Sequence, residues 1–330
     1  MEVLNEIYFG KVISLQQIED VINKLKSKYG IDGRKNPRLI YKEINRDPFV
    51  AKIGEYIRNE FGFGEVIVTI AADSKMRAST MSFLADKHGI AYMDELKGVN
   101  IKNTLVVTSN GIRYDNSKFK PNILIVISTG ILFSPYVTTE ELIAVLLHEI
   151  GHSFSKATLG SDEFNARIDE KFADQFVTMY GYGAELTKVL TKVSTNHQYQ
   201  DFSSLKDIPI LNVFIGFNNI RKSLMSRAID GNEHPTMYKR MKNTVQQLEY
   251  ELKRSENLTP KQRKELENNI DVAKESIAKY YSNTPNLSDK VYKFYEKNIE
   301  HKLGKEIDAD KHADLYGSSD LVDQELRSRI

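Results

Sequence analysis

The stretch LLHEIGH at residues 146–152 puts His148 and His152 four positions apart, with the carboxylate of Glu149 directly after the first. On a helix, positions i and i+4 lie on one face, one turn apart. Two imidazoles so placed can reach a single ion at ~2.0–2.1 Å. The 3.6-residue period turns Glu149 by ~100° from His148. It is therefore poorly placed as a third ligand, but well placed beside an open coordination position, where it can take a proton from a bound water. Two surface histidines sharing a helix face would need no such carboxylate. The upstream residues predict the helix. Thr138 and Glu141 have the spacing of a capping box, and Leu142, Val145, Leu146 and Ile150 form an apolar stripe.

A hydrolytic zinc site takes three protein ligands and keeps one position for water. The chain has no cysteine, so disulfides and thiolate ligands are excluded and the third donor must be His, Asp or Glu. A glycine three residues and a histidine six residues after the second motif histidine would mark one metallopeptidase branch, but Ser155 and Thr158 stand there. Further on, DEKFADQF at 169–176 offers Glu170 and Asp174, again at i and i+4. Glu170 has the longer side chain for reaching between helices and is expected as the ligand. Asp174 is expected to accept the other N–H of a ligand histidine and fix its tautomer. Ala173 between them would let the two helices approach. Asp162, Glu163 and Asp169 are weaker ligand candidates, on a loop or at its edge. Peptide hydrolysis also needs a donor for the carbonyl oxygen as it gains charge. His234, Tyr180, Tyr182, His197, Arg77 and Arg240 have suitable chemistry, although tyrosines are more often core residues and His197 sits in the polar stretch STNHQYQ, which reads as a surface loop.

The remaining sequence places this helix in an α+β, predominantly helical chain. Amphipathic or capped segments begin at Ser14, with Gly30 as the expected stop, and at Asp47–Pro48, with polar loop and short helical pieces between. Three β-branched runs, 65–71, 103–110 and 122–128, predict a small sheet. A Gly break near 181–183 divides the helical segment after Glu170. Two charged, helical-period segments follow 236. Thr259, Pro260 and Gln262 start the second, and the two should pair as a long antiparallel hairpin. This divides the chain into an N-terminal helical region (1–63), a metallopeptidase domain (64–245), a helical hairpin arm (246–303) and a C-terminal tail (304–330). With 330 residues, 46 basic and 45 acidic, the net charge of +1 sets up no global field for nucleic acid or an anionic membrane. The longest apolar run is too short for a bilayer, which needs ~20 residues. The first residues lack the form of a secretory signal. Cytoplasmic placement is the expectation, with virion association as a variant.

The segments ILIVISTGIL, TTEELIAVLLHEIGH, EKFADQF, GYGAEL and EHPTMYKR together resemble the HtpX-like and CAAX-prenyl-endopeptidase-type zinc metallopeptidases, a branch of the gluzincins. The resemblance covers roughly residues 48–245. It implies a gluzincin core with a small mixed sheet, and a strand ending in a turn, Ser128 to Leu132, before the motif helix. It implies zinc held by His148, His152 and Glu170, followed by Ala173 and Asp174. His234 would help stabilise the intermediate, and Arg240 would pair with a site carboxylate. Arg77 stands where that family commonly has asparagine. The function expected is a zinc endopeptidase acting on a protein or peptide, with Glu149 as general base and the strand at 122–128 beside the cleft. The alternative is a structural or interaction protein, such as an assembly or virion component, that keeps zinc as a staple and meets its partner through 246–303.

Overall fold

The computed structural model of the protein describes residues 8–74, 76–86, 89–92, 105–108, 111–115, 120–159, 166–200, 237–254 and 258–283. Three helices lead: α1 (Ile13–Lys35), α2 (Pro37–Arg46) and α3 (Pro48–Phe61). Helix α1 does not use the capping box expected at Ser14. Its N-cap is Val12, and the Ser14 hydroxyl is buried in the first turn without a partner. Nor does α1 stop at Gly30. Leu15, Ile18, Ile22, Leu25 and Tyr29 bury one continuous stripe against α3 and the motif helix. That burial outweighs the ~1 kcal/mol a glycine costs inside a helix. The helical content expected in the polar stretch between α1 and α3 is one ten-residue helix, α2, opened by Pro37. Helix α3 has the expected bounds. Asp47 caps it by accepting the Phe49 N–H at 2.9 Å, and also takes the Tyr29 hydroxyl at 2.8 Å.

Six strands follow: β1 (Val66–Ala71), β2 (Ala78–Asp86), β3 (Gly89–Tyr92), β4 (Leu105–Thr108), β5 (Gly111–Tyr114) and β6 (Asn122–Ser128). The main sheet has the order β1-β6-β2-β3 and is mixed. Strand β6 runs parallel to β1, with Val66 opposite Ile123, and antiparallel to β2, with Ala78 opposite Ile127. The strand expected at 103–110 exists as β4, but it pairs with β5 in a separate two-stranded sheet. Ile123, Ile125 and Ile127 of β6 are fully buried. The outer edge of β1 is blunted by a side chain. Asn45 of α2 accepts the Ile70 N–H at 2.7 Å and donates to the Ile70 carbonyl at 2.8 Å, as a neighbouring strand would.

A one-turn helix, α4 (Thr129–Leu132), ends β6, with the Ser128 hydroxyl as its cap. Then come α5 (Thr139–Leu159), α6 (Ala166–Met179), α7 (Gly183–Gln200), α8 (Met237–Arg254) and α9 (Pro260–Asn283). The capping box at α5 forms in both directions: Glu141 N–H to Thr138 Oγ1 at 3.2 Å, and Thr138 N–H to Glu141 Oε2 at 2.9 Å. Thr259 and Gln262 form the same reciprocal cap at α9. His197 lies in the last turns of α7 rather than in a loop. Helices α8 and α9 pack on each other, α9 also packs on α7, and α8 on α6 and α7. Leu248, Leu266, Ile270 and Ala273 bury that contact together with Tyr8. One larger apolar core runs from Leu15 in α1 to Met241 in α8. The architecture is thus α+β, mostly helical, with a small mixed sheet. Among the described residues no helix is long and apolar enough to cross a membrane.

Replacing Asn45 by alanine strips both backbone groups of the buried Ile70 of their partner. The expected loss is about 2 kcal/mol of unfolding free energy, read from urea denaturation. An unchanged midpoint would show that this edge is satisfied in another way.

Candidate metal centre and cleft

Helix α5 carries the histidines and α6 the carboxylates, and the two pack backbone to backbone. A side-chain carbon at Gly151 would lie 2.8 Å from the Ala173 Cα, so a glycine faces an alanine where the helices touch. This brings His148, His152 and Glu170 together. The two Nε2 atoms are 3.1 Å apart, and each lies 3.4 or 3.5 Å from a Glu170 oxygen. A tetrahedral ion with bonds of ~2.0–2.1 Å separates its ligand atoms by ~3.3–3.4 Å. The three donors therefore fit one ion, and they form the one group among the described residues able to hold a metal.

The outer ring nitrogens are also held. His148 Nδ1 is 3.0 Å from Asp174 Oδ1, and His152 Nδ1 is 2.8 Å from Asp169 Oδ2. Each carboxylate accepts the Nδ1 proton, which leaves Nε2 as the metal-facing atom. Asp169, read from the sequence only as a weak ligand candidate, is instead the residue that orients His152. It belongs to the first turn of α6 and not to a loop edge, and it also accepts the Ser155 hydroxyl. Arg240 of α8 is buried and doubly engaged. Its Nε and Nη2 donate to the two Asp174 oxygens at 2.9 and 2.7 Å, and its Nη1 lies 3.2 Å from Glu170 Oε2.

These charges govern protonation. Burial and the Arg240 charge work against a charged His148, but Asp174 and Glu170 outweigh them and push its pKa up to about 10. Burial would raise Asp174, but Arg240 and His148 hold it below the usual carboxylate range. Burial pushes Glu149 above that range, against the pull of His148 and His152.

Glu149, both histidines, Glu170 and Arg240 line a cleft of about 610 Å³. Its other wall is β2, with Thr80 and Ser82, together with Arg77 just before the strand, and its apolar lining includes Ile131, Val145, Leu186 and Leu190. The strand expected beside the cleft, 122–128, is not available there, because β6 is paired on both edges. Strand β2 takes that place. Strand β3 pairs only with 83–86, so among the described residues the second edge of 78–82 carries no neighbouring strand. Arg77 lies on the cleft and pairs with Asp73. Tyr180 is a core residue whose hydroxyl accepts the Ile112 N–H at 2.9 Å, and the Tyr182 ring lies beneath the Lys11 ammonium. His234, Asp162 and Glu163 lie outside the described residues.

Comparison with protein families, with curated proteins and with solved structures finds no match to this chain.

Two outcomes follow from the geometry. Asp169→Ala should weaken divalent-metal affinity about 10–100-fold, the usual range for a partner behind a ligand histidine, and Glu170→Ala should weaken it more. Competition against a chelator measures both, and equal losses would reassign the third donor. Metal binding must also expel the His148 proton, so affinity should rise by about tenfold per pH unit between pH 6 and 8. The metal-free fold responds with the opposite sign. A pKa raised from 6.5 contributes stability that is full below 6.5 and is lost as pH rises towards about 10. A pH-independent affinity would refute the protonated ground state.

Proposed function

We propose that the protein is a zinc-dependent endopeptidase with a gluzincin-type core, related in kind to the HtpX-like metallopeptidases it resembles. One observation carries this reading. A carboxylate that is not one of the three donors, Glu149, is buried on the wall of the open cleft they face. A purely structural zinc site prefers a closed fourth position and has no use for a base.

His148, His152 and Glu170 would hold a zinc ion, which would supply Lewis acidity to a carbonyl and lower the pKa of a water towards ~7. Glu149 takes the proton released as the water attacks, and delivers it to the leaving amine. Asp174 and Asp169 keep the two imidazoles in register, and Arg240 screens Asp174 and Glu170 from each other. The substrate backbone is proposed to lie along the edge of β2 at 78–82 that carries no neighbouring strand among the described residues, adding a strand to the sheet. Val145, Leu186 and Leu190 favour an apolar side chain next to the scissile bond. His234 remains the donor proposed for the carbonyl oxygen by resemblance.

Glu149→Gln should retain bound zinc and lose peptide cleavage by at least about a hundredfold, within the usual worth of a general base. Metal analysis and proteome-wide cleavage mapping on both proteins test this together. Equal cleavage by the two would end the base assignment.

A further inference from the structure

A second, smaller cavity opens beside the cleft, about 190 Å³ in volume. Its walls come from three places far apart in sequence: the α1–α2 junction at Gly33 and Pro37, the segment before β2 at Met76, and the turn after β6 at Ser134 and Tyr136. Met76 is shared, since it also lines the main cleft. At Gly33 the wall is helix backbone without a side chain. A carbon added at Gly33 would collide with the Phe133 ring, which packs directly on the α1 backbone there. No charged side chain among the described residues lines it. Two of its hydroxyls have partners: Thr129 Oγ1 donates to the Asp73 carbonyl at 2.9 Å, and Ser134 Oγ accepts the Tyr136 N–H at 3.3 Å. What remains for a ligand is apolar and aromatic surface, from Met76, Pro37 and Tyr136.

The position along β2 matters as much as the lining. Ser82 Oγ donates to Ser153 Oγ at 2.6 Å, which fixes the far end of 78–82 beside the turn carrying His152. Met76 precedes the same strand at its near end. An extended peptide advances ~3.3 Å per residue, so about 20 Å of chain runs between those two points. A chain lying on the β2 edge and crossing the metal centre therefore reaches the small cavity several residues from the metal.

We propose that this cavity is a specificity subsite that takes one uncharged aromatic side chain of a peptide laid along β2, several residues from the bond at the metal centre. The proposal rests on the endopeptidase reading for its peptide, but not for its test. The chain contains no tryptophan, so a peptide tryptophan can be excited selectively. The probes are uncharged peptides of about 12 residues with a single tryptophan moved along them, bound to the Glu149→Gln protein so that they stay intact. Emission should shift to the blue for one tryptophan position. Ser134→Phe fills the cavity and should abolish the shift and weaken binding about tenfold, while the all-alanine counterpart binds both proteins alike. Tyr136→Ala removes a lip residue that is 75% exposed and outside the core, and should weaken binding about threefold. No blue shift at any position, or an undiminished shift in both variants, overturns the proposal. Cleavage of the same peptides by the unsubstituted protein is followed in parallel. A shift without cleavage keeps the subsite and removes the endopeptidase reading, whereas cleavage without a shift does the reverse.

Discussion

Helices α5 and α6 meet where Gly151 faces Ala173, and no larger pair would let their backbones come so close. Each Nε2 must stand within ~3.4 Å of a carboxylate oxygen borne on the other helix if one ion is to touch all three. Side-chain rotamers can adjust such a distance by tenths of an ångström, but the interhelical spacing sets it. The apolar residues flanking the contact, Ile150, Phe154, Phe172 and Phe176, hold the helices at that spacing from within the core. The centre is therefore a product of packing as much as of ligand chemistry.

The same closeness creates an electrostatic problem that the chain must solve. Glu149, Asp169, Glu170 and Asp174 are all buried within two turns of two helices. Uncompensated, that much negative charge in a low-dielectric setting would cost several kcal/mol per group. Arg240 answers part of it by bridging Asp174 and Glu170, and a proton on His148 answers more. A divalent cation at the three donors would replace that proton with a larger charge at the same place. A site balanced in this way is prepared for an ion and tolerable without one.

Legibility in the sequence follows the range of the interactions. The capping boxes at Thr138 and Thr259 and the helix opened by Asp47 and Pro48 are local, and they form where the sequence puts them. Helix α1 overruns Gly30 because distant residues bury its far end, which no local signal records. Strand β2 was missed because ASTMSFLAD mixes small polar and apolar residues. Ser82 faces inward on a hydroxyl of α5, while Met81 faces out and is 47% exposed, the reverse of the usual alternation. The pair at i and i+4 in both helices was readable as a metal site because its spacing is itself the geometry. Asp169 was not, since its role depends on where α6 begins, and helix starts are set by tertiary context as much as by sequence.

The C-terminal helices bear on the centre more directly than a division at residue 245 suggests. Arg240, the main counter-charge, belongs to α8, which continues unbroken to Arg254. From α6 a polar line runs along the same helix: Gln175 donates to Gln247 at 3.4 Å, and Gln247 donates to Glu251 at 2.6 Å. Helix α9 in turn covers α8 and α7. Displacing this pair would withdraw the guanidinium from Asp174 and Glu170 and leave two buried carboxylates unscreened. A metal centre and a docking role for these helices would not be independent properties of the chain, because Arg240, the counter-charge of the buried carboxylates, stands on the first of the two helices.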